Sequence, residues 1–186
     1  YAIENFFKSI NPINYDNSIN VFIEISAGDT FKHQLSKETS KLELVYDQAG
    51  ERKIKYLPYP FNYGVMPQTY ESIDVGADGD PLDVILIGPR KKSNNSYRVD
   101  LIGILYLKDG NEIDNKILAI DNEEIFTDVK NIEDLNLKYP GIIEIINIWL
   151  KNYKGGDILI GDIKKKKKAL DYIKESRNRY LETYGN

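Results

Sequence analysis

Cysteine is absent from the 186 residues, and histidine, methionine and tryptophan occur once each. Without cysteine there is no disulfide framework and no thiolate chemistry, which fits a reducing, cytoplasmic setting. With His33 alone, neither a histidine metal cluster nor a Ser-His-Asp triad can be assembled. Long apolar runs are also missing: stretches such as Leu101 to Leu107 fall far short of the roughly 20 residues a bilayer span requires, and no charged-then-apolar signal segment opens the chain. A soluble protein without a membrane partner is therefore expected, while the first residue, Tyr1 rather than Met, leaves a removed leader open. Basic charge is not in excess. The net charge of -4 argues against a general nucleic-acid binder, which needs surplus Lys and Arg to displace phosphate counterions. No Gly-rich phosphate loop of the P-loop type is present.

What is there suits one domain spanning residues 1–186. Hydrophobic residues make up 41% and charged residues 29% of the chain, inside the globular range, and a chain of this length buries roughly 70% of its unfolded surface. Val21, Ile23 and Ile25 alternate with Phe22 and Glu24, as a half-buried strand does, so Glu24 faces away from that apolar row. Further strands are expected over Lys41 to Tyr46, Arg52 to Leu57, Val84 to Ile87, Tyr97 to Leu107 and Ile117 to Ile120. After Pro140 the period changes: Ile142, Ile145, Ile146, Trp149, Leu150 and Tyr153 share a helical stripe that Gly155-Gly156 stops. Asp162 is expected to cap a second helix with the stripe Leu170, Ile173, Tyr180, Leu181 and Tyr184. Strands first and helices last indicate an α+β, mainly β fold with a closed or partly closed barrel.

The most informative segment is Asp78-Gly79-Asp80-Pro81-Leu82-Asp83, three carboxylates in one turn leading into an apolar strand. Two unit charges about 4 Å apart repel by roughly 4 kcal/mol at an effective dielectric near 20, so the cluster needs cations or protons, or else full solvation. Mg²⁺, a hard ion that takes carboxylate oxygens, is the natural compensator. Pro81 breaks the spacing of an EF-hand loop, and an aspartyl nucleophile would follow its strand rather than precede it. A second group, Asp109, Asp114 and Lys116, lies between two strands and reads as a hairpin turned at Asp109-Gly110. Alone it is an ordinary charged turn. Folded beside the first, it would let Asp78, Asp83, Asp109 and Asp114 hold several metal ions and leave Asp80 to handle a proton. A highly anionic substrate would also need donors, and the candidates are Lys32, Arg52, Lys116, Tyr63, Tyr153 and Lys154. Arg52 carries the planar fork that grips two phosphate oxygens, whereas Tyr63 and Tyr153 read equally as packing aromatics.

In their order along the chain, Ile23-Glu24-Ile25, Asn62-Tyr63-Gly64, the Asp78 to Asp83 turn, Asp109/Asp114/Lys116 and Tyr153-Lys154 resemble the family I soluble inorganic pyrophosphatases. The chain length is similar to that of the bacterial members. The resemblance implies a five-stranded, OB-like barrel with flanking C-terminal helices, a diphosphate substrate and several Mg²⁺ ions per site, with Mn²⁺ or other divalents able to substitute. It also implies roles: Asp78, Asp83, Asp109 and Asp114 as metal ligands, Glu24 in the outer metal and water shell, and Asp80 as general base for in-line attack by a metal-bound hydroxide. Lys32, Arg52, Tyr63, Lys116, Tyr153 and Lys154 would hold phosphoryl oxygens, with Tyr63 also close to the chemistry and Tyr59 lining the site. A homo-hexamer through the helical face is implied as well. The chain departs from the family pattern at Gln34, where a Glu is usual two residues after the substrate lysine; Arg52 is chosen because it is the only arginine in a segment of variable length. Two rival readings are an OB-like module stacking single-stranded nucleic acid on some of its 14 tyrosines, which would need a basic lining, and a nucleotide-directed metal phosphohydrolase. The run Lys164 to Lys168 reads as a solvated helix start.

Overall fold

The computed structural model describes residues 6–185. In chain order the helix α1 (Phe6–Ser9) precedes β1 (Ser18–Ile25), β2 (His33–Leu35), β3 (Leu42–Leu44), β4 (Tyr46–Asp47), β5 (Gly50–Glu51) and β6 (Asn62–Val65). A short 3-10 turn at Ile73–Val75 leads to β7 (Asp83–Ile87), β8 (Asn95–Asp109), β9 (Glu112–Ile113) and β10 (Lys116–Ile120). Helices α2 (Ile132–Lys138) and α3 (Ile142–Asn152), strand β11 (Ile158–Lys165) and helix α4 (Lys166–Tyr184) complete the chain.

Five strands close into a ring, β1-β6-β7-β10-β8, because β8 pairs back onto β1. The length of β8 makes closure possible: Asn95 to Asp100 pair with β1, Asp100 to Leu105 with β10, and Gly103 to Asp109 with β11. Only β7 and β10 run parallel, and their register sets Lys116 beside Asp83. Both strands are apolar on both faces and both faces are covered, as a parallel pair requires. One row, with Val84, Leu86, Ile117 and Ala119, shares a core with Ala169 and Ile173 of α4. The alternate row, with Ile85, Ile87, Leu118 and Ile120, packs with Trp149 and Leu150 of α3. A side chain at position 64 is excluded between β1 and β6, since a Cβ on Gly64 would lie 2.0 Å from the Phe22 carbonyl oxygen. The family-pattern turn Asn62-Tyr63-Gly64 is thus a strand.

Several expectations are corrected. Val21 to Ile25 is buried on both faces, Phe22 and Glu24 included, because the barrel and the β2–β3 hairpin enclose it. Arg52 to Leu57 forms no strand; Phe31 and Lys53 make an isolated bridge, and the segment runs on as an irregular, largely exposed link in which Ile54 is buried. Asp162 does not cap a helix. It lies in β11, where alternate burial is weak but the β8 edge is open for pairing, and α4 starts only at Lys166. The lysine run therefore straddles a strand and a helix. On α3, Ile145 points outward at 56% exposed, and on α4 Leu181 and Tyr184 are exposed. The described residues include no helix long and apolar enough to cross a membrane.

Candidate active site

One mouth of the barrel collects polar side chains from six parts of the chain. The parallel register opens β7 with Asp83 and β10 with Lys116, side by side, and Asp114 precedes Lys116 by two residues on the same face. Lys116 is 3% exposed, and its ammonium pairs with both Asp83 and Asp114. Burial alone would lower the pKa of Lys116, but the two carboxylates outweigh it and hold the amine well above its ordinary range. Asp114 is pushed up by burial and by Asp83, with Lys116 opposing. Two carboxylates sharing one buried ammonium leave a local excess of negative charge.

The turn before β7 supplies the next carboxylates. Gly79, at φ 83°, takes the left-handed bend that L side chains resist, and Asp80 donates its backbone N–H to Asp78 Oδ1 at 2.9 Å. Burial raises the pKa of Asp78, and Asp80, Asp83 and Asp114 add to the rise. The Asp80 carboxylate is held at both oxygens, by Lys37 Nζ at 2.5 Å and by the Gln34 side-chain amide at 3.1 Å. The β8–β9 hairpin contributes Asp109, paired with Lys154. That lysine reaches the mouth because α3 ends at Tyr153, whose ring stacks on Trp149 with centroids 4.3 Å apart and planes 8° from parallel. Trp149 is itself anchored by its indole N–H to the Leu57 carbonyl at 2.9 Å.

Glu24 enters from β1. It is 4% exposed and accepts a 2.6 Å hydrogen bond from the Leu35 backbone N–H; burial pushes its carboxyl up to about 8. Lys32 is lowered by burial and by Arg52. Tyr63 and Tyr153 are both raised, chiefly by burial, with Asp83 next for Tyr63, so each keeps its hydroxyl proton and remains a donor.

A single cleft of about 120 Å³ is lined by Glu24, Lys32, Tyr63, Asp78, Asp80, Asp83, Asp109, Asp114, Lys116, Tyr153 and Lys154. Of the thirteen residues placed at the site from the sequence, eleven therefore line one cleft. Arg52 is not among the lining residues, but its carbonyl accepts from Lys32 N–H at 2.9 Å and its charge acts on the Lys32 ammonium, which keeps it next to the cleft. Tyr59 is likewise off the lining; it is 4% exposed and packed against Trp149 at 4.6 Å and Tyr63 at 5.9 Å. Lys37 and Glu112 were not read from the sequence as site residues. Glu112 joins the lining from β9, and a half-exposed lysine such as Lys37 carries no signal in one sequence.

Among the described residues no three carboxylates form a ready coordination shell, since lysine ammonium groups occupy several of their oxygens. The donor set nonetheless suits hard divalent cations: it is all oxygen, converges on one cleft and carries carboxyls raised by mutual repulsion and burial. Mg²⁺ at Asp78, Asp83, Asp109 and Asp114 would fit this chemistry.

Residues 21–181 match the family model described as inorganic pyrophosphatase. The inorganic pyrophosphatase of Candida glabrata is 32% identical over 185 residues, covering 87% of this chain and 64% of the relative. Among solved structures, the inorganic pyrophosphatase of Schistosoma japonicum superposes with a TM-score of 0.88 at 25% identity, covering 96% of this chain and 71% of the other. An N-terminally truncated vacuolar soluble pyrophosphatase of Trypanosoma cruzi, solved in complex with PPi, gives 0.84 at 27%, with coverage of 94% and 72%. The chain thus spans slightly less than two thirds of the length of that curated relative.

Proposed function

Because the chain belongs to the inorganic pyrophosphatase family, we propose that it hydrolyses diphosphate to two orthophosphates with magnesium as cofactor. The observation that carries this reading is the convergence of Asp78, Asp83, Asp109 and Asp114 with Lys32, Lys116, Lys154 and two protonated tyrosines in one cleft. Carboxylates without cations would repel the substrate, and cations without carboxylates would hold it unreacted; the two sets together suit cleavage of a polyanion.

Magnesium held by these four aspartates would neutralise phosphoryl charge and acidify a water. Lys116, paired with Asp83 and Asp114 in the metal-free protein, and Lys154, paired with Asp109, would be freed by the cation to present their ammonium groups to the phosphoryl oxygens. Tyr63 and Tyr153 donate hydrogen bonds to the same group. Lys32, whose pKa is lowered by burial and by Arg52, would hold its proton more firmly as the anion enters. Asp80 accepts the proton of the attacking water; its carboxylate is already oriented by Gln34 and Lys37, so little reorganisation precedes transfer. Positioning and charge compensation dominate, as phosphoryl transfer demands.

Phosphate release from diphosphate, ATP and a phosphomonoester, each with Mg²⁺, tests the assignment. Diphosphate is expected to be the preferred substrate by a wide margin; equal rates on all three, or none on diphosphate, would remove it. Self-association into a homo-oligomer is supported by the outward Ile145 and Ile148 of α3 and Leu159 of β11, all more than half exposed; a hexamer is the form that the family resemblance implies. Sedimentation as a monomer at micromolar concentration would rule it out.

A further inference from the structure

Behind the cleft, a buried polar chain joins the two acidic segments through helix α4. Glu71, 7% exposed, clasps the Asp78–Asp83 turn by its backbone: its N–H donates to the Asp80 carbonyl at 2.9 Å, and its carbonyl accepts from Gly79 N–H at 2.8 Å. Its carboxylate is bound by α4, where the Arg179 guanidinium donates to Oε1 at 2.6 Å and the Tyr172 hydroxyl donates to Oε2. Arg179 also lies over the Tyr172 ring, 5.9 Å from its centroid. On its other side the Tyr172 oxygen accepts a 3.0 Å bond from the Asn115 side-chain amide, and Asn115 stands between Asp114 and Lys116. The Asn115 side-chain oxygen Oδ1 in turn accepts from Leu107 N–H at 3.0 Å, which ties the residue to β8.

We propose that Tyr172, with Glu71 and Asn115, is a positioning residue that helps set the spacing between the Asp78–Asp83 turn and the Asp109–Asp114 hairpin, through one hydroxyl bonded to Glu71, which clasps the turn, and to Asn115, which follows the hairpin. This rests on reading the cleft as a divalent-cation diphosphatase site. None of the three side chains lines the cleft, so their influence acts through the carboxylates they hold apart. A direct backbone bond, Ile113 N–H to the Gly76 carbonyl at 2.7 Å, joins the same region, and on the cleft side Lys116 pairs with both Asp83 and Asp114. The Tyr172 hydroxyl adds a joint behind the cleft, between the residue that holds the Asp80 carbonyl and the residue next to Asp114. A site assembled from two segments loses cation affinity when their separation is no longer imposed, because the free protein must then be ordered on binding.

The test uses Tyr172→Phe, which keeps the ring under Arg179 and removes only the hydroxyl, with Asn115→Ala and the double variant. Mg²⁺ affinity is measured calorimetrically without substrate, alongside kcat and KM for magnesium diphosphate and the thermal midpoint. Tyr172→Phe is expected to weaken Mg²⁺ binding and lower kcat by about tenfold each, the scale of one hydrogen bond to a charged group, with KM changed by less than about twofold. The double variant should be no worse than Asn115→Ala, since both remove the same joint. A lowered thermal midpoint with unchanged Mg²⁺ affinity and kcat would make the chain an ordinary structural contact and overturn the proposal. If the parent binds Mg²⁺ yet leaves diphosphate intact, the functional reading fails while the calorimetry still decides the positioning role; a parent that binds no Mg²⁺ overturns both.

Discussion

Replacing Lys116 with methionine isolates the charge that holds the mouth of the barrel together. Methionine keeps most of the stem volume and removes the ammonium, so the loss is electrostatic rather than a cavity. In the parent the Lys116 side chain is 4% exposed, and its partners Asp83 and Asp114 are 23% and 20% exposed. Breaking a fully buried ion pair by deleting one partner costs about 3–5 kcal/mol. Because water reaches a fifth of each carboxylate, the lower end applies, and roughly 3 kcal/mol corresponds to a fall of about 6–12 °C in Tm for a chain of this size. The ammonium is held above its ordinary pKa by the two aspartates against the pull of burial, so its contribution is complete at neutral pH and disappears only as pH rises beyond the unfolded lysine range and through the folded value. Magnesium should reverse the deficit. The same oxygens become free for the cation, and a ligand at 100 times its Kd adds about 2.7 kcal/mol. Thermal unfolding with chelator and across a magnesium titration reads both effects, and the variant should gain more from the metal than the parent does. Equal gains, or a metal-free Tm that does not move, would refute the idea that Lys116 and the cation compete for Asp83 and Asp114.

Asp80→Asn should lower turnover by about 10²- to 10⁴-fold, the usual contribution of a positioned base, with Tm little changed; near-parental turnover removes Asp80 from proton transfer. Glu24→Gln should stabilise the metal-free protein at neutral and alkaline pH. Its carboxyl is raised from 4.5 to about 8 by burial, so the folded protein binds the extra proton between those values and stability declines as pH climbs through that window. The variant lacks this loss: its advantage should be near zero at pH 4.5 and reach on the order of 3–5 kcal/mol at pH 8. Urea unfolding across that range measures it, and a constant difference would contradict the burial of an ionisable group there.

Local patterns in the chain carried much of the fold. Apolar residues in Val84 to Ile87 and Ile117 to Ile120, bounded by turn residues, read as strands, and the stripe from Ile142 to Tyr153 read as a helix. Where the local pattern was ambiguous, context decided. Ile158 to Lys165 contains one row of apolar residues between glycine and lysine, and only the free edge of β8 makes it a strand. Arg52 to Leu57 has the alternation of a strand but no neighbour to continue pairing beyond Phe31–Lys53.

The acidic clusters were visible as residues before any coordinates, because like charges so close in sequence require an explanation in any fold. Their meeting was not. It depends on the parallel register of β7 and β10, which sets Asp83 beside Lys116, and on the stacking of Tyr153 on Trp149, which delivers Lys154 to Asp109. Sequence alone determined which carboxylates, lysines and tyrosines this protein has for the proposed binding of cations and phosphoryl oxygens, since residue type and nearest-neighbour charge are properties of the chain. Tertiary structure alone decided which of them face one another, how deeply each is buried and which hydroxyl stands behind them, since pairing across tens of residues is set by strand register and packing rather than by any local preference.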